Sequence, residues 1–163
     1  MTRAYVGLGA NLGDASATLE AASDALAHLP GTRLLTRSSL YISAPIDASG
    51  PDFVNAVAAL DTTLEAYTLL LELQEIERRH GRQRPYRNAP RTLDLDLLLF
   101  GDACIASSAL TVPHPRMTQR AFVLLPLAEI APDLRLPDGR TIASLLPAVA
   151  EQRLTRIASG PAT

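Results

Sequence analysis

The sequence predicts an α+β domain, one antiparallel sheet with helices packed on both sides. Three observations carry the prediction. Apolar residues alternate with period two in some stretches and follow the helical period in others. These stretches succeed one another as β-α-β-β-α-β, the split βαβ order of ferredoxin-like folds. The chain has 163 residues, is 47% hydrophobic and contains no low-complexity tract, enough to bury a core without disulfide or metal staples. One domain over residues 1–163 is expected, with 159–163 as a loose tail.

Residues 4–8 (AYVGL) read as the first strand. GANLGD then turns into an alanine-rich helix, ATLEAASDALAHL, stopped by Pro30 and Gly31. The glycines at 7, 9 and 13 do not make a dinucleotide fingerprint, since position 12 is leucine and no acid closes a following strand at the right distance. They read as a tight strand-to-helix turn. Residues 33–43 form the second strand and, after the loop APIDASGPD, residues 53–62 the third. Residues 64–80 carry apolar side chains at 64, 67, 70, 71, 73 and 76, a helical period, with Gly81 as the stop. An arginine-rich loop leads into the strand 93–100, and LTVPHP is a short extended piece. Residues 120–130 read as a helix interrupted at Pro126 and ended by Pro132. Pro137-Asp138-Gly139 marks a turn, residues 143–150 a last helix, and an edge strand precedes the tail.

Composition excludes several function classes. A formal charge of -2 argues against a general nucleic-acid or membrane coat. All 15 basic residues counted with lysine are arginine, which rules out Schiff-base chemistry and a P-loop lysine. Cys104 has no partner for an internal disulfide and reads as a small buried thiol. No apolar run approaches the roughly 20 residues of a membrane span, and no secretory leader opens the sequence. A cytoplasmic monomer is expected.

The stretch RNAPRTLDLDLLLF holds the main anomaly. Asp94 and Asp96 lie inside an apolar strand, where burying an unpaired carboxylate costs several kcal/mol or forces protonation. Alternation puts both on one face, with Leu93, Leu95 and Leu97 on the other, and Cα atoms two apart lie roughly 6.5 Å from each other. A pair of divalent ions would join such acids, as in phosphoryl-transfer sites. An edge strand with a solvated acidic face, or acids paired with arginines, would also accommodate them.

Six arginines (78, 79, 82, 84, 87 and 91) stand between positions 78 and 91 with no acid among them. The helix dipole favours the first two. The other four fall in a loop with Gly81, Pro85 and Pro90, and a loop of like charges wants an anion. Arginine forks match phosphate oxygens. A magnesium triphosphate on the Asp94–Asp96 face would answer both anomalies together. The same loop, residues 82–88, is expected to be mobile and to order on nucleotide binding. His114, between two prolines, reads as a turn histidine, or near Arg120 as a contact to phosphate or ribose. Phe53 and Phe122 read as ordinary core packing.

The strings YVGLGANLGD, GPDFVNAVAAL, LQEIERRHGRQR, PRTLDLDLLLFGD, LTVPHPRM and RAFVLLPLAEIAPDL, in this order and spacing, resemble the 6-hydroxymethyl-7,8-dihydropterin pyrophosphokinases of folate biosynthesis over residues 4–145. The resemblance implies transfer of pyrophosphate from ATP to the pterin hydroxymethyl group with release of AMP, two Mg2+ ions and a ferredoxin-like fold. It implies that Asp94 and Asp96 bind the metals and that Arg82 and Arg91 act on the transferring phosphates. Gln74, Glu77, Arg84, Leu97, Thr111, His114 and Arg120 match ATP-site positions. Phe53 and Phe122 match the rings that sandwich the pterin, Asn55 the side chain on its edge, and Ser43, Ala44 and Ile46 a segment offering backbone groups. Relative to the family pattern, Phe53 replaces tyrosine, Ser43 threonine, Asn88 tryptophan and Thr118 lysine. Those changes bear on affinity and rate, not on reaction class.

Three other readings compete. A nucleotidyltransferase with paired aspartates would transfer AMP and release pyrophosphate. A ferredoxin-like RNA-binding module would need aromatic residues on central strands, where this chain offers Tyr41 and Phe53. A degenerate member kept for regulation is opposed by the intact Asp94, Asp96, Arg82 and Arg91.

Overall fold

A computed structural model describes residues 1–11, 14–43, 52–80 and 93–157. The described elements are β1 (Thr2–Ala10), α1 (Ala15–Ala27), β2 (Thr32–Arg37), β3 (Tyr41–Ser43), β4 (Phe53–Thr62), α2 (Ala66–Arg79), β5 (Asp94–Phe100), β6 (Ile105–Ala106), β7 (Thr111–Val112), α3 (Ala121–Ile130), α4 (Ile142–Leu145) and β8 (Leu154–Arg156). The main sheet runs β5-β1-β4-β3-β8, with β2 also on β4, and every pairing is antiparallel. The expected α+β architecture is present. The expected tail at 159–163 lies outside the described residues.

Two apolar layers cover the two faces of this sheet. Val6, Leu8, Ala56, Leu60 and Leu95 face α1 and α2 through Leu19, Leu26, Leu69, Leu73 and Ile76. Tyr5, Val57, Ala59, Leu98 and Leu99 face α3 and α4 through Val123, Leu124, Leu127 and Ile142. β4 is central and buried along almost its whole length, which suits its run of alanine and valine. After α1, Gly31 takes φ +58, and its carbonyl accepts from the Thr63 amide at 2.8 Å. A Cβ there would come within 2.1 Å of Thr63 Oγ1, so glycine suits this turn into β2, although the helix itself has already ended at Ala27, before the stop expected at Pro30-Gly31.

Four other local expectations are corrected. The strand expected over 33–43 is two strands, because Ser38 interrupts the ladder. Its hydroxyl, not a main-chain carbonyl, accepts from the Val57 amide at 3.0 Å, and the next residue turns its amide to the Glu129 carboxylate at 3.0 Å. α3 runs through Pro126 without a break. Burial of Val123, Leu124 and Leu127 on the sheet holds the helix against a proline cost of about 3 kcal/mol. The last helix is short and passes at Leu146 into a 3-10 turn, Leu146–Val149, with Pro147 near its start. Cys104 is exposed in the turn after β5, not buried.

Candidate active site

The glycines at 7 and 9 belong to β1, not to the turn after it. Both have ordinary φ values. In the ladder Gly7 pairs with Asp96 and Gly9 with Asp94 on one side, and Gly9 pairs with Asn55 on the other. A Cβ on Gly9 would touch only Asn55 Oδ1, at 3.4 Å, and Val54 O, at 4.0 Å. The backbone therefore does not demand glycine there. What the two glycines do is keep the α3-side face of the sheet open beside the aspartates.

That opening is a cavity of about 250 Å³. Gly7 and Gly9 line it from β1, Ser43 from β3, Phe53 and Asn55 from β4, and Asp94 and Asp96 from β5. Phe122 and Val123 close it from α3, and Arg120 from the extended residue just before that helix. Seven residues singled out by sequence thus meet in one space: Ser43, Phe53, Asn55, Asp94, Asp96, Arg120 and Phe122. Strand alternation and the β1–β5 register explain why the two acids share it.

The walls differ in chemistry. Phe53 lines the cavity from the sheet and Phe122 from the helix. The Arg120 guanidinium lies 5.3 Å from the Phe122 ring centroid, a cation–π distance. Asn55 is buried and its Nδ2 donates to Ser43 Oγ at 2.7 Å, which fixes the amide plane. The aspartates are half-buried on β5, separated by β1 from the strand that carries Phe53 and Asn55.

Glu77 supports the floor from below. It is buried on α2, and its Oε2 accepts from the Leu95 amide at 2.8 Å, between the two aspartates. Leu97 packs in the layer under α1 and α2, so its side chain is on the face away from the cavity. Gln74 is exposed on α2, and Thr111 is exposed on β7. His114 follows β7, and its amide donates to Leu98 O at 2.9 Å. Its Nδ1 accepts from the Arg116 amide at 3.2 Å, which leaves Nε2 as the donor of the neutral ring. Burial, then the charges of Arg120 and Arg116, hold the His114 pKa below its ordinary value against an opposing pull from Asp94. Arg82, Arg84, Asn88, Arg91, Ala44 and Ile46 lie outside the described residues, as does the loop expected to be mobile.

The expected turn at Gly7 and Gly9 is instead strand that walls the cavity. A glycine inside a strand can mark the close approach of a ligand to the backbone. Among the described residues, no group of three or more His, Cys, Asp or Glu gathers as a metal cage. No described helix is long and apolar enough to cross a membrane.

The model of the 7,8-dihydro-6-hydroxymethylpterin-pyrophosphokinase family matches residues 5–132, which include every described residue of this cavity. The chain belongs to that family. It is 53% identical over 156 residues to the 2-amino-4-hydroxy-6-hydroxymethyldihydropteridine pyrophosphokinase of Pseudomonas aeruginosa, covering 95% of this chain and 96% of the relative. Against the enzyme of the same name from Haemophilus influenzae it is 44% identical over 158 residues, covering 96% of this chain and 99% of the relative. The fold is also that of a crystal structure of the Plasmodium falciparum HPPK-DHPS protein, with TM-score 0.74 and 16% identity. That alignment covers 92% of this chain and 46% of the larger one. The family and these relatives are pyrophosphokinases, and the chain is an enzyme of that class.

Proposed function

We propose that this pyrophosphokinase transfers the β,γ-pyrophosphoryl group of ATP to the hydroxymethyl oxygen of 6-hydroxymethyl-7,8-dihydropterin, within folate biosynthesis. The observation that carries the reading is the cavity itself, which two phenylalanines, a fixed amide and a pair of carboxylates line together. A flat, polar heterocycle suits the phenylalanines and the amide, and a polyphosphate with its metal ions suits the carboxylates. The sheet order and its antiparallel pairings support a ferredoxin-like description of the scaffold.

In this reading Phe53 and Phe122 stack on the pterin faces, and Asn55 reads its edge beside Ser43. The hydroxymethyl oxygen forms a bond to the β-phosphorus, and the bond from that phosphorus to the α,β-bridging oxygen breaks. AMP leaves with the bridging oxygen and the hydroxyl proton is released. Such a transfer depends on alignment and on stabilising spread charge more than on covalent help from the protein. Arg120 and the Nε2–H of His114 face the nucleotide, and Arg82 and Arg91 act on the transferring phosphates, as the family resemblance implies.

Asp94 and Asp96 are the groups that would hold Mg2+. Two carboxylates on one open face, without a third protein ligand among the described residues, suit an ion that takes one or two carboxylates and fills its octahedron with water and phosphate oxygens. Two bound ions would neutralise polyphosphate charge and polarise the phosphoryl oxygens. The chain's own part is to bring both acids and the stacking rings to one cavity.

The test is incubation with ATP, Mg2+ and the reduced pterin, followed by nucleotide analysis. AMP forming only when pterin is present supports the assignment. ADP as the nucleotide product, or AMP formed equally without pterin, refutes it.

A further inference from the structure

Gln152 lies beyond the residues that the family model matches, yet it grips the wall of the cavity. Its Oε1 accepts from the Ala121 amide at 2.8 Å, and its Nε2 donates to the Gln119 carbonyl at 2.8 Å. These two bonds bracket Arg120, which is extended (φ -124, ψ 114) and has no side-chain cap bond at the start of α3. The Ala121 amide is one of the donors that a helix start leaves without an intrahelical partner. Gln152 thus supplies the cap from another part of the chain.

Two residues later the same segment fastens to the opposite wall. β8 pairs with β3 through Leu154↔Ser43, Thr155↔Ile42 and Arg156↔Tyr41, and β3 in turn pairs Ser43 with Phe53 and Tyr41 with Asn55. Residues 152–156 are therefore bonded both to the helix side of the site, at Gln119 and Ala121 on either side of Arg120, and to its sheet side, at Ser43. The space between these walls is a second cavity of about 330 Å³, lined by Ser43, Ala121, Phe122 and Gln152 among others. Side-chain packing holds α3 on the sheet farther along, from Val123 to Leu127, but does not fill the space at its start, where the bonds of Gln152 tie the two walls.

We propose that Gln152 is a positioning residue that sets where Phe122 and Arg120 stand across from Phe53 and Asn55, and so sets the width of the slot for the planar substrate. The proposal rests on the pyrophosphokinase reading above. Loss of both bonds frees the start of α3 to shift, and the stacked substrate loses a matched second face. Net bonds of this kind contribute about 1 kcal/mol each, so the expected rise in pterin KM is about fivefold to thirtyfold.

The experiment uses Gln152→Ala with two readouts. Steady-state kinetics give KM for pterin and for ATP. Fluorine NMR of the full chain carrying 4-fluorophenylalanine reads its three phenylalanines separately. Phe53 and Phe122 line the slot, while Phe100 packs in the other apolar layer. The expected result is a moved Phe122 resonance, an unmoved Phe100 resonance and a raised pterin KM. Unchanged KM values with an unmoved Phe122 resonance overturn the proposal, and so does a lowered Tm with unchanged KM values, which marks a purely structural bond. If Gln152→Ala does not fold, Gln152→Glu carries the same readouts, since it keeps the acceptor for Ala121 and loses the donor to Gln119. Wild-type protein that forms no AMP would refute the functional assignment, whereas an active wild type matched by the variant refutes only the role of Gln152.

Discussion

Gly9 stands directly across the β1–β5 ladder from Asp94, and the space its missing side chain leaves is part of the cavity. Its φ is ordinary and a Cβ would meet no closer protein atom than Asn55 Oδ1 at 3.4 Å. Gly9→Ala is expected to fold and to be no less stable, since glycine in a strand interior is disfavoured by about 0.5–1 kcal/mol relative to alanine. Its methyl group would occupy ligand space. Overpacking costs about 1–3 kcal/mol, or about fivefold to a hundredfold or more in pterin KM. Thermal melts and kinetics check this together, and a variant with wild-type KM values counts against a ligand lying on Gly9.

Asp94→Asn and Asp96→Asn each preserve side-chain volume and remove one charge from the cavity. Each is expected to lower kcat/KM by at least the ~10–100-fold that loss of a supporting metal contact costs. The Mg2+ concentration for half-maximal activity should rise in both. A Mg2+ titration that superimposes on the wild-type curve would remove these acids from the metal site.

How far the sequence discloses this site can be seen from particular residues. Strand periodicity is enough to put Asp94 and Asp96 on one face, because alternation is local and survives any tertiary context. Phe53 and Phe122 are different. Taken as residues alone they read as core, and only the family resemblance assigns them to a ligand. Their convergence depends on how α3 lies across β4, which no local pattern encodes. Ser38 defeats a strand assignment for the same reason: its hydroxyl takes the Val57 amide only once β4 is alongside. Gly7 and Gly9 carry a usable signal, glycine inside a strand, but the helix that starts soon after them makes the same residues look like a turn. Gln152 carried none, since an isolated glutamine near the end of a chain shows nothing of the amide it will cap.

Glu77 braces the strand that carries the acids, through the Leu95 amide. Glu77→Leu leaves that amide without this acceptor in a buried place, a loss of about 1–3 kcal/mol. Glu77→Gln retains a carbonyl acceptor and should lose less. Tm for both variants, with the leucine variant falling further, is the check. Equal Tm values would show that the bond to Leu95 contributes nothing.

His114 gives a pH dependence with a defined sign. Burial, Arg120 and Arg116 hold its folded-state pKa below the ordinary 6.5. The unfolded chain then binds a proton that the folded one resists. Stability from the neutral ring is complete above the ordinary value and is lost as pH falls toward the depressed one. Wild-type Tm should fall more steeply than that of His114→Gln between about pH 7 and pH 5. Parallel curves would show that His114 titrates alike in both states.

Glu129 anchors the far end of α3. Burial pushes its carboxyl up, but hydrogen bonds from Tyr41 and Ser39, together with the Arg156 charge, outweigh this and hold it below its usual value. The Tyr41 hydroxyl donates to it at 2.7 Å, and the phenol is itself pushed up to about 12, first by burial and then by this bond. Tyr41→Phe is expected to lower stability by about 1 kcal/mol near neutral pH. The difference should shrink as pH falls through the depressed Glu129 pKa, and a difference constant with pH would mean that Glu129 is not its source.

The fate of the β-phosphorus of ATP decides between pyrophosphoryl transfer and every rival transfer. With ATP labelled at that atom, Mg2+ and 6-hydroxymethyl-7,8-dihydropterin, the label should appear covalently on the pterin, in amounts equal to the AMP released. Label found in free pyrophosphate or in ADP, with none on the pterin, would contradict the account.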